Sequence, residues 1–317
     1  MGFIGRRLAV SLVTVFLVSI LTFTAFRLIP GDPALLSLGI EADAEQLAIL
    51  RAEMGLDKSL HEQYLSWLGG FLTGQLGNSA RFRGIPIFQM IHERLPVTFS
   101  LAGLSLVFII LISVPVSLIS VKKERPILNR IVVSLTALGI STPGFFMGIL
   151  FIWVFGILFR IFVPGAYVSY TEDIPGFIGS LIFPALAIAI PNAALVIKFL
   201  RSSILKELQS DYVRTARSKG GNRSHILKGH VLKNASLPVI TLLGMIIGEI
   251  FSGSIVIEQV FGIPGLGRLL LTSITGRDFL VIETLMIYIA FVVIMANTLS
   301  DIALQIIDPR IRLTKGT

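Results

Sequence analysis

The chain of 317 residues has no cysteine, four histidines, two tryptophans and only 15% charged residues. Without cysteine it has neither disulfides nor thiolate metal ligands. His61, His92, His225 and His230 all fall outside the long apolar runs. The apolar segments therefore hold no soft metal ligands, which argues against a site for a naked transition metal. No Gly-x-x-x-x-Gly-Lys-Ser/Thr pattern occurs, so the chain has no phosphate-cradling loop of that kind. His61-Glu62-Gln63-Tyr64-Leu65 begins like a zinc-protease helix but lacks the second histidine, and no serine or aspartyl protease constellation is present. Internal repeats and low-complexity tracts are absent as well.

What the chain has in abundance is apolar side chains, at 54% hydrophobic with a mean hydropathy of +0.84. Such values belong to an integral membrane protein rather than a soluble domain. Runs long enough to cross a hydrocarbon layer of ~30 Å fall near 8–29, 97–121, 131–159, 177–199, 237–261 and 280–307. The expected fold class is all-α with six transmembrane helices. Pro143-Gly144 in the third run and Pro184 and Pro191 in the fourth are expected to kink their helices, which neighbouring helices can accommodate. Residues 1–29 are expected to form a retained signal-anchor span. Arg6-Arg7 precede a 22-residue apolar run longer than a usual signal core, and no small-residue cleavage site follows.

Charge sets the orientation. With the N-terminus cytoplasmic, the inside segments hold eighteen of the 27 lysines and arginines, whereas eleven of the 19 acids fall outside. The opposite topology inverts both biases. The formal charge of +8 is thus a topology signal, and without a nucleic-acid motif it does not indicate nucleic acid. The resulting plan is an extracytoplasmic segment 30–96, a five-span core 97–307 containing a cytoplasmic loop 200–236, and a cytoplasmic tail 308–317. Within 30–96, helices are expected over Asp43–Met54 and Leu60–Phe71; Tyr64 and Trp67 suit either the membrane interface or a small cap on the spans.

Two features stand out as candidate sites. The first is a short amphipathic helix in the cytoplasmic loop. Tyr212, Val213 and Ala216 form its apolar side, Arg214, Arg217 and Lys219 carry charge, Thr215 lies in the same stretch, and Gly220 ends it. The second is a set of four acids within the spans, a costly placement. Leu237 begins the fifth span, so at ~1.5 Å per residue Glu249 lies roughly 18 Å in, near the midplane. Glu258 falls at the outer interface and, nine residues on, about 180° around the helix. Glu283 lies at the outer edge of the sixth span and Asp301 near its inner edge, where Asn297 shares its face. Glu249 alone calls for a special role, either lining a pathway or making a packing hydrogen bond.

In order and at matching membrane depths, several motifs resemble the inner-membrane permease subunits of ABC importers of the dipeptide/oligopeptide/nickel class. Pro30-Gly31-Asp32-Pro33 follows span one. Arg214-Thr215-Ala216-Arg217-Ser218-Lys219-Gly220 matches the class form of the permease signature, which in general form is Glu-Ala-Ala, three residues, then Gly; Leu237-Pro238 closes it. Phe261-Gly262-Ile263-Pro264-Gly265-Leu266-Gly267 and Asp308-Pro309-Arg310-Ile311-Arg312 complete the set. Gly74-Gln75-Leu76-Gly77-Asn78-Ser79 departs from the class, which often has Gly-Asp-Phe-Gly there. The glycine-rich 261–267 segment is a tight re-entrant turn rather than a phosphate site.

The resemblance implies a type I importer permease fold in a bacterial or archaeal cytoplasmic membrane, with both termini cytoplasmic. It implies a non-catalytic subunit that works with a second homologous permease, two ABC ATPase subunits and an extracytoplasmic substrate-binding protein. ATP and magnesium would then sit on the ATPase subunits, with no cofactor in this chain. Residues 211–220 would couple nucleotide-driven closure to alternating access as a helix seated in a groove, with Tyr212, Val213 and Ala216 as apolar anchors. The cargo would be short peptides or, by the same machinery, nickel or another metal chelate. A stand-alone secondary transporter would need ion-coupling groups deep in several helices; only Glu249 is that deep.

Overall fold

The computed structural model describes residues 3–28, 32, 34–35, 43–53, 55–79, 81–82, 84–121 and 126–307. Pro30, Gly31 and Pro33 of the first motif, and the whole motif from Asp308, lie outside the described residues.

The elements of regular structure among the described residues are helices, joined by turns and loops, with one isolated antiparallel bridge between Asn78 and Pro86. In chain order the helices are α1 (Phe3–Arg27), α2 (Ala44–Glu53), α3 (Leu60–Thr73), α4 (Ile87–Ser120), α5 (Pro126–Ser141), α6 (Gly144–Phe151, continuing as a π-helix over Ile152–Leu158), α7 (Ile174–Glu207) and α8 (Asp211–Ser218). They continue with α9 (Arg223–Ile226, a π-helical stretch Leu227–Val231, then Leu232–Ala235), α10 (Leu237–Phe261), α11 (Leu266–Thr275) and α12 (Phe279–Ile307). The helices α1, α4, α7, α10 and α12 are each long and apolar enough to cross a membrane. Inside lipid a helix satisfies its own backbone groups, so apolar runs of this length fold this way.

The third expected span takes a different form. Residues 131–159 form no single kinked helix; α5 and α6 are bent by 103° at Thr142-Pro143 and make a sixth crossing if the pair counts as one span. Pro143 is extended, with φ −62 and ψ 142, and Thr142 before it is steered away from helical backbone. Prolines alone do not force such a break: α7 runs unbroken through both Pro184 and Pro191. Its start is fixed by Asp173, whose carboxylate accepts the Gly176 N–H at 3.0 Å. Three further elements go beyond the sequence expectation: the apolar helix α11, the π-helical end of α6 and α9 with its π-helical stretch.

The chain forms two compact units. The first comprises residues up to Ser100 with Gly262–Met295. Its core gathers Ile87, Met90 and Ile91 of α4, Leu266 and Leu269 of α11, and Val281 and Leu285 of α12. The expected outer helices are present as α2 and α3, and α3 is a cap on α1. The Tyr64 and Trp67 rings lie 5.4 and 5.8 Å from Phe23, and the Tyr64 hydroxyl is 2.8 Å from that of Ser19. The 261–267 segment is a turn, with Gly262 at φ +70 and the Leu266 N–H donating to Thr98 Oγ1 at 2.9 Å.

The second unit comprises Leu101–Phe261 and the residues from Ala296. Here α7 packs against α5, α6 and α10. The α5–α7 crossing is close: a Cβ on Gly139 would sit 2.8 Å from that of Ala194, so only glycine fits there. Stacked rings of Phe162 and Phe183, 4.4 Å apart, pack the loop after α6 against α7.

Candidate coupling helix and transmembrane cleft

The structure forms α8 where the amphipathic pattern places it, but turns it over. Val213 is wholly buried, Tyr212 and Ala216 are half-buried, and Arg214, Thr215, Arg217 and Lys219 are exposed. The apolar side of α8 is therefore committed to its own chain. The expectation that Val213 points outward as an anchor is corrected, because its methyl pair is buried in the chain's own loop, while Tyr212 and Ala216 stay half-buried.

Tyr212 ties α8 to the end of α7. Its hydroxyl donates to Glu207 Oε2 at 2.7 Å, and burial together with that bond pushes the phenol above its usual range. The other end closes on Gly220. Its φ of +83 is costly for any residue with a Cβ. That turn lets the Gly220 N–H donate to the Arg217 carbonyl at 2.9 Å and the Gly221 N–H to the Ala216 carbonyl at 3.1 Å. This six-to-one, five-to-two pair is the Schellman closure of a helix. What faces outward is polar and mainly cationic. Arg214 and Asp211 stand 3.6 Å apart with 78% and 97% of their side chains exposed, a pairing worth little in water.

Glu249 is exposed on α10, while Glu258, nine residues on, is wholly buried, as opposite faces of one helix require. Glu249 lines an open cleft of about 340 Å³ whose walls are otherwise apolar, including Phe145, Ile188, Pro191, Leu195 and Val256. The other polar wall residue is Asn192, whose Nδ2 donates to the Ile188 carbonyl at 2.9 Å. Asn192 is a site residue that was missed. Its signal was an amide beside Pro191 within an apolar run.

The expectation that Glu249 alone among the span acids needs an explanation is also corrected. Glu258 and Glu283 are more deeply buried than Glu249, and Glu283 is held by Arg27 at 2.5 Å. Asp278, counted with the outer loops, is wholly buried too. It accepts the Ser79 hydroxyl and, at 3.3 Å, the Arg81 N–H. Glu249 lies on a different unit from Glu283 and Asp278.

A multi-pass helical membrane protein with a short polar-faced helix between two apolar helices and an acid in a cleft walled by apolar helices has the features of a transport subunit. The chain belongs to the family of binding-protein-dependent transport system inner membrane components, whose profile matches residues 113–313; the N-terminal profile of the same systems matches residues 1–102. The fold is that of a type I ABC importer permease. The chain is 33% identical over 310 residues to a probable peptide ABC transporter permease protein of Sinorhizobium fredii, covering 98% of this chain and 99% of the relative. It is 36% identical over 307 residues to a putative peptide transport system permease protein of Brucella abortus, covering 97% and 98%. It is 34% identical over 315 residues to an oligopeptide transport system permease protein of Bacillus subtilis, covering 98% and 99%.

Proposed function

We propose that the chain forms half of the translocation pathway of an ATP-driven importer of short peptides, working by alternating access. The observation that carries this is the full-length similarity to relatives named peptide permeases. Those names do not favour nickel or a metal chelate as cargo. In this reading the pathway is completed by a second homologous permease. Two ATPase subunits hold ATP and magnesium, and an extracytoplasmic binding protein delivers the peptide. The chain itself performs no chemistry.

Residues 211–220 are the coupling element. Because the apolar side of α8 is folded into its own chain, the surface offered to an ATPase groove is Arg214, Thr215, Arg217 and Lys219. Tyr212, Val213, Ala216 and Gly220 hold that surface in shape. Glu249 is the pathway residue. The orientation is the one the charge bias sets, with both termini and α8 cytoplasmic.

The test is uptake of labelled di- to pentapeptides by cells, or by proteoliposomes of the co-expressed complex, with and without ATP. ATP-dependent accumulation that disappears when this chain is deleted is the expected result. Accumulation of nickel chelates but no peptide would reject the proposed cargo. Uptake without ATPase subunits would reject the importer class.

A further inference from the structure

The cleft at Glu249 is lopsided in its polar chemistry. Its polar groups are mostly hydrogen-bond acceptors. Glu249 brings a carboxylate, and Asn192, with one of its two Nδ2 hydrogens given to the Ile188 carbonyl, also carries Oδ1. A third acceptor lies just behind. Pro191 has no N–H to give to the Ala187 carbonyl, whose oxygen sits 3.6 Å from where a Cβ on Gly144 would be, and Gly144 is itself a wall residue. No lysine, arginine or histidine lines the cleft among the described residues.

An acid at this depth calls for a cation. Glu283 has one in Arg27, and the cleft wall offers Glu249 none. The complement of a carboxylate, an amide oxygen and a carbonyl in an apolar setting is a group with several N–H donors and a positive charge. A primary ammonium, with three donors and no acceptor, has that character.

We infer that this cleft receives the amino-terminal ammonium of the transported peptide, with Glu249 as its counter-charge and Asn192 as the second acceptor. This rests on the peptide reading above. The apolar walls, Phe145, Ile188 and Val256, tolerate the first side chain without selecting it. The permease thus adds a requirement of its own to that of the binding protein: a free amino terminus, largely indifferent to sequence.

The experiment uses the assembled importer in proteoliposomes with its binding protein and ATP. The cargo is a tripeptide carrying a photoreactive diazirine in its first or its last residue. During turnover the first-residue probe should cross-link within 188–195 or 249–256, and the last-residue probe should not. Glu249→Gln should slow uptake about tenfold, the scale of one charge-assisted hydrogen bond, and leave complex yield unchanged. A matched peptide with hydroxyl in place of the ammonium should be carried at the same rate by both proteins. Since one binding protein serves every arm, its own preference cancels in the ratio of ratios.

Equal slowing of both cargoes, wild-type uptake by the Gln variant, or labelling of the cleft by the last-residue probe would each overturn the inference. So would a fall in complex yield, because Glu249 would then be holding the two permeases together. Failure of the wild-type complex to import any peptide would instead reject the peptide reading itself.

Discussion

Arg27 Nη1 lies 2.5 Å from Glu283 Oε1, with 13% and 1% of the two side chains exposed. The pair joins α1 to α12, and Arg27 Nε also donates to Gln63 Oε1 of α3 at 3.0 Å. Removing one member of a buried pair strands the other charge, at about 3–5 kcal/mol. Arg27→Ala and Glu283→Ala should each lower the thermal midpoint and yield of the purified complex. The apolar double variant Arg27→Met/Glu283→Leu should recover most of both. A double variant no better than the singles would show that the pair itself, and not the stranded charge, matters.

The orientation can be read in intact cells. The chain has no cysteine, so each introduced thiol reports alone, and Lys58 and Asn222 are both exposed. Lys58→Cys should label with an impermeant maleimide in intact cells, and Asn222→Cys only after permeabilisation. The reverse pattern would invert the topology.

The turned-over α8 separates two kinds of loop variant. Arg214→Glu/Arg217→Glu changes an exposed face. It should leave the permease inserted and thermally unchanged while ATPase subunits are lost on purification or hydrolysis uncouples from uptake. Val213→Asp places a charge at a wholly buried position and should destabilise the loop, seen as new protease cleavage within 200–236 even without ATPase subunits. Full uptake by the double glutamate variant would remove α8 from the coupling role.

Gly220→Asp tests the helix end. At φ +83 any Cβ is strained, although nothing lies within 4 Å of where it would sit. The cost is therefore of backbone origin, about 1–2 kcal/mol, and should fray α8. Faster exchange of the amides at positions 220 and 221, which donate the closing hydrogen bonds, is the readout. Gly220→Asn, which tolerates left-handed backbone better, should fall between glycine and aspartate.

Length and hydropathy made most of this fold legible, because an 18-residue apolar run has few alternatives in lipid. The same rule misjudged residues 131–159, where composition stays apolar through Pro143 while the chain turns by 103°. Pro184 and Pro191 carry the same local signal and leave α7 unbroken. What differs is the surrounding packing, which no local pattern encodes. Amphipathicity located α8 but not its facing, since an apolar side serves a neighbour in the same chain as well as one in another. Depth along the apolar run singled out Glu249 as a candidate, and the structure places it on the wall of a cleft. Asn192, Glu258 and Asp278 needed the tertiary structure, because burial of a polar group is decided by what packs around it.

The π-helical stretch of α9 has a consequence for how that segment tolerates change. Ile226, Val231 and Ala235 are all buried, at spacings of five and then four residues. On an unbroken α-helix a five-residue step would swing Val231 about 140° away from Ile226. The wider turn, in which the Leu232 N–H reaches back to the Leu227 carbonyl, brings Val231 round to the same side. The segment thus carries one residue more than a helix of its length needs. Gly229 is exposed within that turn. Excising it would relax the turn to an ordinary one and keep the three apolar contacts in line, whereas the same excision one turn later would throw them out of phase. Within α9, the π-helical turn is therefore a place where the length can change by one residue while the apolar contacts stay in line.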